Sequence, residues 1–138
     1  MTSPLARATL QVDTRAQAEV LDITPQVEEA VRELGMNQGV VLLYCPHTTC
    51  ALTVNEVADP DVRDDVRRAL WALVPAIRFR HIEGNSPAHL LAAMLGPSLL
   101  LPVEGGKLAL GTWQGVYLCE FDGPRSRQVW VYPLAASP

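Results

Sequence analysis

The sequence predicts an α+β domain whose sheets are largely antiparallel, and three observations predict it. From residue 99 onward the chain is patterned only as strands, broken at Glu104-Gly105-Gly106 and Asp122-Gly123-Pro124, where glycine tolerates positive φ. Three helix starts are marked by prolines, at Pro25, Pro60 and Pro87. Between them lie apolar and β-branched runs of strand length. The chain has 138 residues, 49% of them hydrophobic, enough for one core. Neither a linker nor an internal repeat divides it, so residues 1–138 read as a single domain.

Residues 8–12 and 19–23 read as the first strands. Thr24-Pro25 looks like a cap with proline at the first helical position, opening a helix to about Leu34. Val27, Ala30, Val31 and Leu34 give that helix one apolar face, and Gly35 ends it. Residues 39–45 form a continuous apolar strand that Pro46 stops, and 51–55 alternate as the next strand. Asp59-Pro60 repeats the cap-and-proline device for a helix carrying Val62, Val66, Ala69, Leu70 and Leu73, closed at Pro75.

Residues 77–80 are expected as a short strand delivering His81 to a loop. Ser86-Pro87 then caps a third helix, with Ala88 and His89 in its first turn. Strands at 99–103 and 107–111 flank the glycine hairpin, and 115–121 and 127–132 form a second pair. About seven or eight strands and three helices result.

Composition narrows the functional classes. The net charge is −4 and the arginines form no run, so nucleic acid is not an expected partner. The apolar stretches are too short to span a bilayer, and residues 1–7 contain no apolar leader core. Cys45, Cys50 and Cys119 are odd in number and lack a Cys-x-x-Cys pairing, which argues against a disulfide framework or a four-cysteine zinc site. A cytoplasmic protein without a membrane partner is expected. Only 19% of residues are charged and mean hydropathy is +0.12, which favours self-association.

The chemistry concentrates around three histidines. His47 sits in Pro46-His47-Thr48-Thr49; His81 and His89 flank Glu83-Gly84-Asn85-Ser86. Imidazole ligates metals and transfers protons near neutral pH. Three of them could supply the protein ligands of a divalent metal site with an open position, with Glu56 or Glu83 as a further ligand, orienter or base. Each histidine alone reads equally as a surface or satisfied core residue. His47 with Glu56 could be a proton-transfer pair if the strand between them folds back, or the two could lie at opposite edges. The helix start at Ser86 adds exposed amides, which attract anions. Thr112-Trp113-Gln114, bounded by glycines, offers donors, acceptors and a stacking face, or only an apolar cover and a hairpin tip. Arg125 and Arg127 follow a tight turn; they could meet a carboxylate or phosphate, or simply be exposed. Cys50 near His47 could be a nucleophile, although a buried strand cysteine is the simpler reading.

Taken together, the runs His47-Thr48-Thr49, Ala51-Leu52-Thr53-Val54-Asn55-Glu56, Asp59-Pro60-Asp61-Val62, Glu83-Gly84-Asn85, Pro87-Ala88-His89-Leu90 and Leu110-Gly111-Thr112-Trp113-Gln114-Gly115 resemble the YjbQ family, the secondary thiamine-phosphate synthase enzymes. The likeness runs from about residue 39 to 132. It implies an α+β fold assembled as a homotrimer, with His47, Glu56, His81, Asn85, His89, Thr112 and Gln114 on the family's motif positions. It also implies a weak coupling of an aminopyrimidine diphosphate to a thiazole phosphate, with release of pyrophosphate. Two departures stand out: Cys50 replaces a small residue, and the Gly84-Asn85-Ser86 loop lacks the aspartates of some members.

The functional expectation is a site for a small phosphorylated molecule or a divalent metal, zinc or magnesium. His47, Glu56 and Asn85 are its catalytic candidates and His47, His81 and His89 its metal ligands. Thr48, Thr49, Ser86, Thr112, Trp113 and Gln114 are its ligand-binding candidates. The alternative is a homotrimeric binding or structural protein whose histidines meet at the subunit contact.

Overall fold

A computed structural model describes residues 6–138; residues 1–5, part of the segment read for a leader, lie outside the described residues. In chain order the elements are β1 (Ala8–Asp13), β2 (Glu19–Asp22), α1 (Thr24–Glu33), β3 (Gln38–Tyr44), β4 (Cys50–Glu56), α2 (Pro60–Ala72) and α3 (Ser86–Leu95). β5 (Ser98–Glu104), β6 (Lys107–Leu108), β7 (Gln114–Glu120) and β8 (Ser126–Ser137) complete the chain. The strands form a five-stranded sheet in the order β1-β8-β3-β5-β6 and a three-stranded sheet in the order β2-β7-β4. Every pairing is antiparallel, as expected for an α+β domain.

The hydrophobic pattern stacks these layers. Alternation sends Val41 and Leu43 of β3, Leu101 and Val103 of β5, and Val129 and Val131 of β8 inward. There they meet Leu52, Val116 and Leu118 of the smaller sheet and the Val27–Ala30–Val31 stripe of α1. The opposite face of the smaller sheet carries Val20, Ala51, Tyr117 and Cys119, covered by Leu70 of α2 and Ala88, Leu91 and Ala92 of α3. β7 is thus buried on both faces, which is why it reads as an unbroken apolar run.

Several boundaries differ from expectation for identifiable reasons. Thr24 is not the cap of α1: Ile23 holds that position, while the Thr24 hydroxyl donates to Asp22 Oδ1 (2.6 Å) and accepts from the Val116 amide (2.8 Å). Its bonding capacity therefore joins helix to sheet. Asp59 does cap α2, accepting from the Asp61 amide. Ser86 is the first residue of α3 rather than its cap; Asn85 occupies the cap position and makes no side-chain cap bond. Residues 77–80 form no strand, because no sheet edge is paired with them, and Ile77 is left exposed. β6 spans two residues instead of five.

β8, in contrast, runs five residues past Tyr132. Pro133 is tolerated because the β3–β8 register shifts between Val40 and Val41, a bulge where a ladder amide is dispensable. Gly39 lies opposite this irregular stretch at φ +146°, and a Cβ there would collide with the Ala135 carbonyl. Among the described residues, no helix is long and apolar enough to cross a membrane.

Candidate functional site, a histidine and arginine cleft

β3 ends at Tyr44, opposite Trp130, while β8 continues toward Ser126 beyond the reach of its partner. The chain turns at Pro46, and His47 takes over where the ladder stops: the Gln128 amide donates to His47 Nε2 at 2.9 Å. A neutral imidazole that accepts at Nε2 carries its proton on Nδ1. Burial and the nearby Arg127 guanidinium both lower the His47 pKa, which favours the neutral ring. In this arrangement His47 is a hydrogen-bond donor through Nδ1, with its lone pair already committed.

Behind the loop lies a buried ion pair. Glu120, at the end of β7, is fully buried within an otherwise apolar strand, and Arg127, second in β8, is 3% exposed. Arg127 Nε and Nη2 donate to the two carboxylate oxygens at 2.8 and 2.5 Å. Thr14 Oγ1 and the Asp122 amide donate to the same carboxylate. Burial by itself would raise the Glu120 pKa; these donors together outweigh it and hold the carboxyl below its ordinary range. Arg127 Nη2 also donates to Thr49 Oγ1 at 2.7 Å. Thr49 therefore positions the guanidinium, and of the two readings open to Arg127 the one in which it meets a carboxylate holds.

Asn85 belongs to a neighbouring cluster. Its Nδ2 donates to Asp122 Oδ2 (3.0 Å), which also accepts from Arg125 Nη2 (2.9 Å). The Asn85 bond, opposed by partial desolvation and aided by Arg125, holds the Asp122 carboxyl below its ordinary range. Asn85 Oδ1 is buried without a partner. The α3 terminus is a weak anion cup: Pro87 has no amide, and the Ala88 and His89 amides already donate to the Asn85 carbonyl. Half-buried Ser86 contributes no side-chain bond among the described residues.

These groups border one two-part cleft. Its polar part, of about 330 Å³, is lined by His47, Thr48, Thr49, Asn85, His89, Arg125 and Arg127, with Glu83 and Asp122 at the side. Its apolar part, of about 270 Å³, shares His47, Thr48 and His89 and adds Cys50, Ala92, Ala93 and Pro97. His81 stands at the rim, its ring 5.7 Å from that of His89 and its Nε2 3.7 Å from Glu83 Oε2. Thus His47 and His89 share the cleft wall, while His81 reaches only His89. Among the described residues, no group of three or more His, Cys, Asp or Glu is placed to hold a metal ion. With the His47 Nε2 lone pair engaged as well, the three histidines do not fit a resident metal in this arrangement.

The other candidates lie elsewhere. β4 leads away from the cleft at Cys50, paired with Glu120, to Glu56, paired with Gln114. Six residues at the rise of a strand put Glu56 about 20 Å farther on. His47 and Glu56 therefore occupy opposite edges. Thr112, Trp113 and Gln114 lie at that far end, where Gln114 Oε1 accepts from the Gly111 amide and Trp113 is 62% exposed. Sequence reasoning passed over Glu120 and Asp122. Glu120 had a signal, since a lone carboxylate inside Val116–Phe121 needs a buried cation.

An α+β protein with this layered sheet arrangement and a histidine-bearing loop at one strand end has close relatives. Residues 8–135 match the family described as UPF0047 protein YjbQ-like, and the chain belongs to that family. It is 47% identical over 125 residues to UPF0047 protein YugU of Bacillus subtilis, covering 89% of this chain and 95% of that one. A crystal structure of a YjbQ/UPF0047 family protein from Clostridium acetobutylicum superposes with a TM-score of 0.87 at 44% identity, covering 92% of this chain and 99% of the other. A YbjQ-like protein from Sulfolobus solfataricus gives 0.89 at 34% identity, with 97% and 99% covered.

Proposed function

We propose that the cleft binds a small phosphorylated molecule, its phosphate in the polar part and its carbon body against Ala92, Ala93 and Pro97. The observation that carries this reading is His47, an Nδ1 donor held in the wall of the polar part by the Gln128 amide and backed by the Arg127 guanidinium that Glu120 and Thr49 fix. Pre-set donors bind an anion with little ordering cost. Thr48 and Arg125 complete the donor set, and Asn85 positions Arg125 through Asp122.

Diphosphate chemistry suits such a site, because fixed donors offset charge as it develops on a leaving phosphate. The coupling of an aminopyrimidine diphosphate to a thiazole phosphate falls within this reading as a weak activity of the cleft. Zinc or magnesium, where used, would arrive with the bound phosphates, because no three protein ligands converge among the described residues. Three free thiols suit a cytoplasmic setting.

Calorimetric titration with inorganic pyrophosphate tests the proposal. His47→Ala and Thr48→Ala should each weaken binding about tenfold, equivalent to about 1.4 kcal/mol. Equal affinity in wild type and both variants would overturn it. Elemental analysis of wild type beside His89→Ala checks for a bound cation.

A second reading has its own observation. The outward positions of the five-stranded sheet carry Tyr44, Leu100, Trp130 and Leu134, with Tyr44 stacked on Trp130 at 5.9 Å. An apolar sheet face of this kind supports the homotrimer. In it, His47, His81 and His89 would satisfy hydrogen bonds across the subunit contact. Leu100→Asp should give a monomer by sedimentation, while a wild-type monomer would remove this reading.

A further inference from the structure

Cys45 and Cys50 flank the four-residue loop that carries His47, Thr48 and Thr49. Cys45 follows the last residue of β3, and Cys50 opens β4. Their sulfurs are in contact at 3.2 Å, and each residue is 1% exposed. The pair joins strands of two different sheets at the base of the cleft. Cys50 also lines the apolar part of the cleft, beside His47 and His89. Cys119 is fully buried and lines none of the cleft.

We propose that Cys45 and Cys50 form an oxidation site that closes to a disulfide and thereby resets the His47 loop. A disulfide requires the sulfurs to approach by about another ångström, a small shift for side chains already in contact. With hydrogen peroxide as oxidant, one sulfur as thiolate attacks a peroxide oxygen, displaces hydroxide and becomes a sulfenic acid. The second sulfur attacks the sulfenic sulfur and expels its oxygen as water. Two thiols and one peroxide yield one disulfide and two waters; the sulfurs are oxidised and the peroxide is reduced.

The closure acts on the loop between the cysteines. His47 gives up or strains its bond from the Gln128 amide, and Thr49 shifts against Arg127, since both bonds arise from the four bridged residues. Oxidation is then read in the cleft as a change in its donor set. This last effect rests on the proposed phosphate site; the disulfide itself does not.

Folded wild-type protein is treated with hydrogen peroxide and mapped as non-reduced peptides by mass spectrometry. The expected result is a Cys45–Cys50 link with Cys119 still a thiol, reversed by dithiothreitol. Cys45→Ala and Cys50→Ala should each block the link and leave a lone sulfur that dimedone traps as the sulfenic acid. Two free thiols at Cys45 and Cys50, under conditions that oxidise a free dithiol, would overturn the proposal. In the second arm, the oxidised protein should bind inorganic pyrophosphate about tenfold differently from the reduced one. Equal affinity of a linked and a reduced protein would refute the coupling to the loop. Absence of pyrophosphate binding in the reduced protein would count against the phosphate site alone, and hydrogen exchange at the Gln128 amide then reads the loop directly. Unchanged exchange would refute the coupling.

Discussion

Glu120 is the residue on which the cleft depends most. It accepts from Arg127, Thr14 and the Asp122 amide in a site closed to solvent. Buried pairs add little over an apolar substitute, but removing one partner leaves an unpaired buried charge. Arg127→Met should therefore lower stability by about 3–5 kcal/mol, measured by urea unfolding at neutral pH. The pH dependence follows from the same bonds. Glu120 and Asp122 have folded pKa values below their unfolded ones, so their contribution is fully present above the unfolded carboxylate range and lost as pH falls through the folded values. The urea midpoint should drop below about pH 4, with a shallower slope in Glu120→Gln. His47 is also lowered, which favours its neutral form, and its nuclear magnetic resonance titration should have a midpoint below about 6.5. A midpoint above that value would show that burial and the Arg127 charge do not govern the ring.

At the scale of elements, the informative cases are those where a residue serves a neighbour instead of its own helix or strand. Thr24 sits where a helix cap is expected, yet it accepts the Val116 amide. Thr24→Val should orphan that buried amide and lower stability by about 1–3 kcal/mol. Asp59, a true cap, is a useful contrast: Asp59→Ala should cost about 0.5–2 kcal/mol by thermal unfolding. Helix and strand starts were legible because proline and aspartate act locally. The failed strand at 77–80 and the truncated β6 were not, since alternation marks a strand but only a neighbouring ladder stabilises one. The extended β8 was hidden for the converse reason: Pro133 is disfavoured in a ladder unless a bulge receives it, and that bulge belongs to the pairing with β3.

For the whole molecule, the central question is how two sheets share one core. Leu118 faces that core from β7 and is fully buried, so Leu118→Ala should cost about 2–5 kcal/mol, measured by chemical denaturation. The sequence alone determined the fold class, the three helices, most strands and the inward stripes, because periodicity and capping are local properties of side chains. It also selected His47, His89, Thr48 and Asn85, polar residues at element ends that do line the cleft. Only the tertiary structure decided that Glu56 and the Thr112–Gln114 turn stand at the far end of the same strands, because register and strand direction arise from pairing. It likewise decided that Arg127 is buried: the β7–β8 turn brings Glu120 and Arg127 together, and a buried charge is stable only beside the partner that neutralises it.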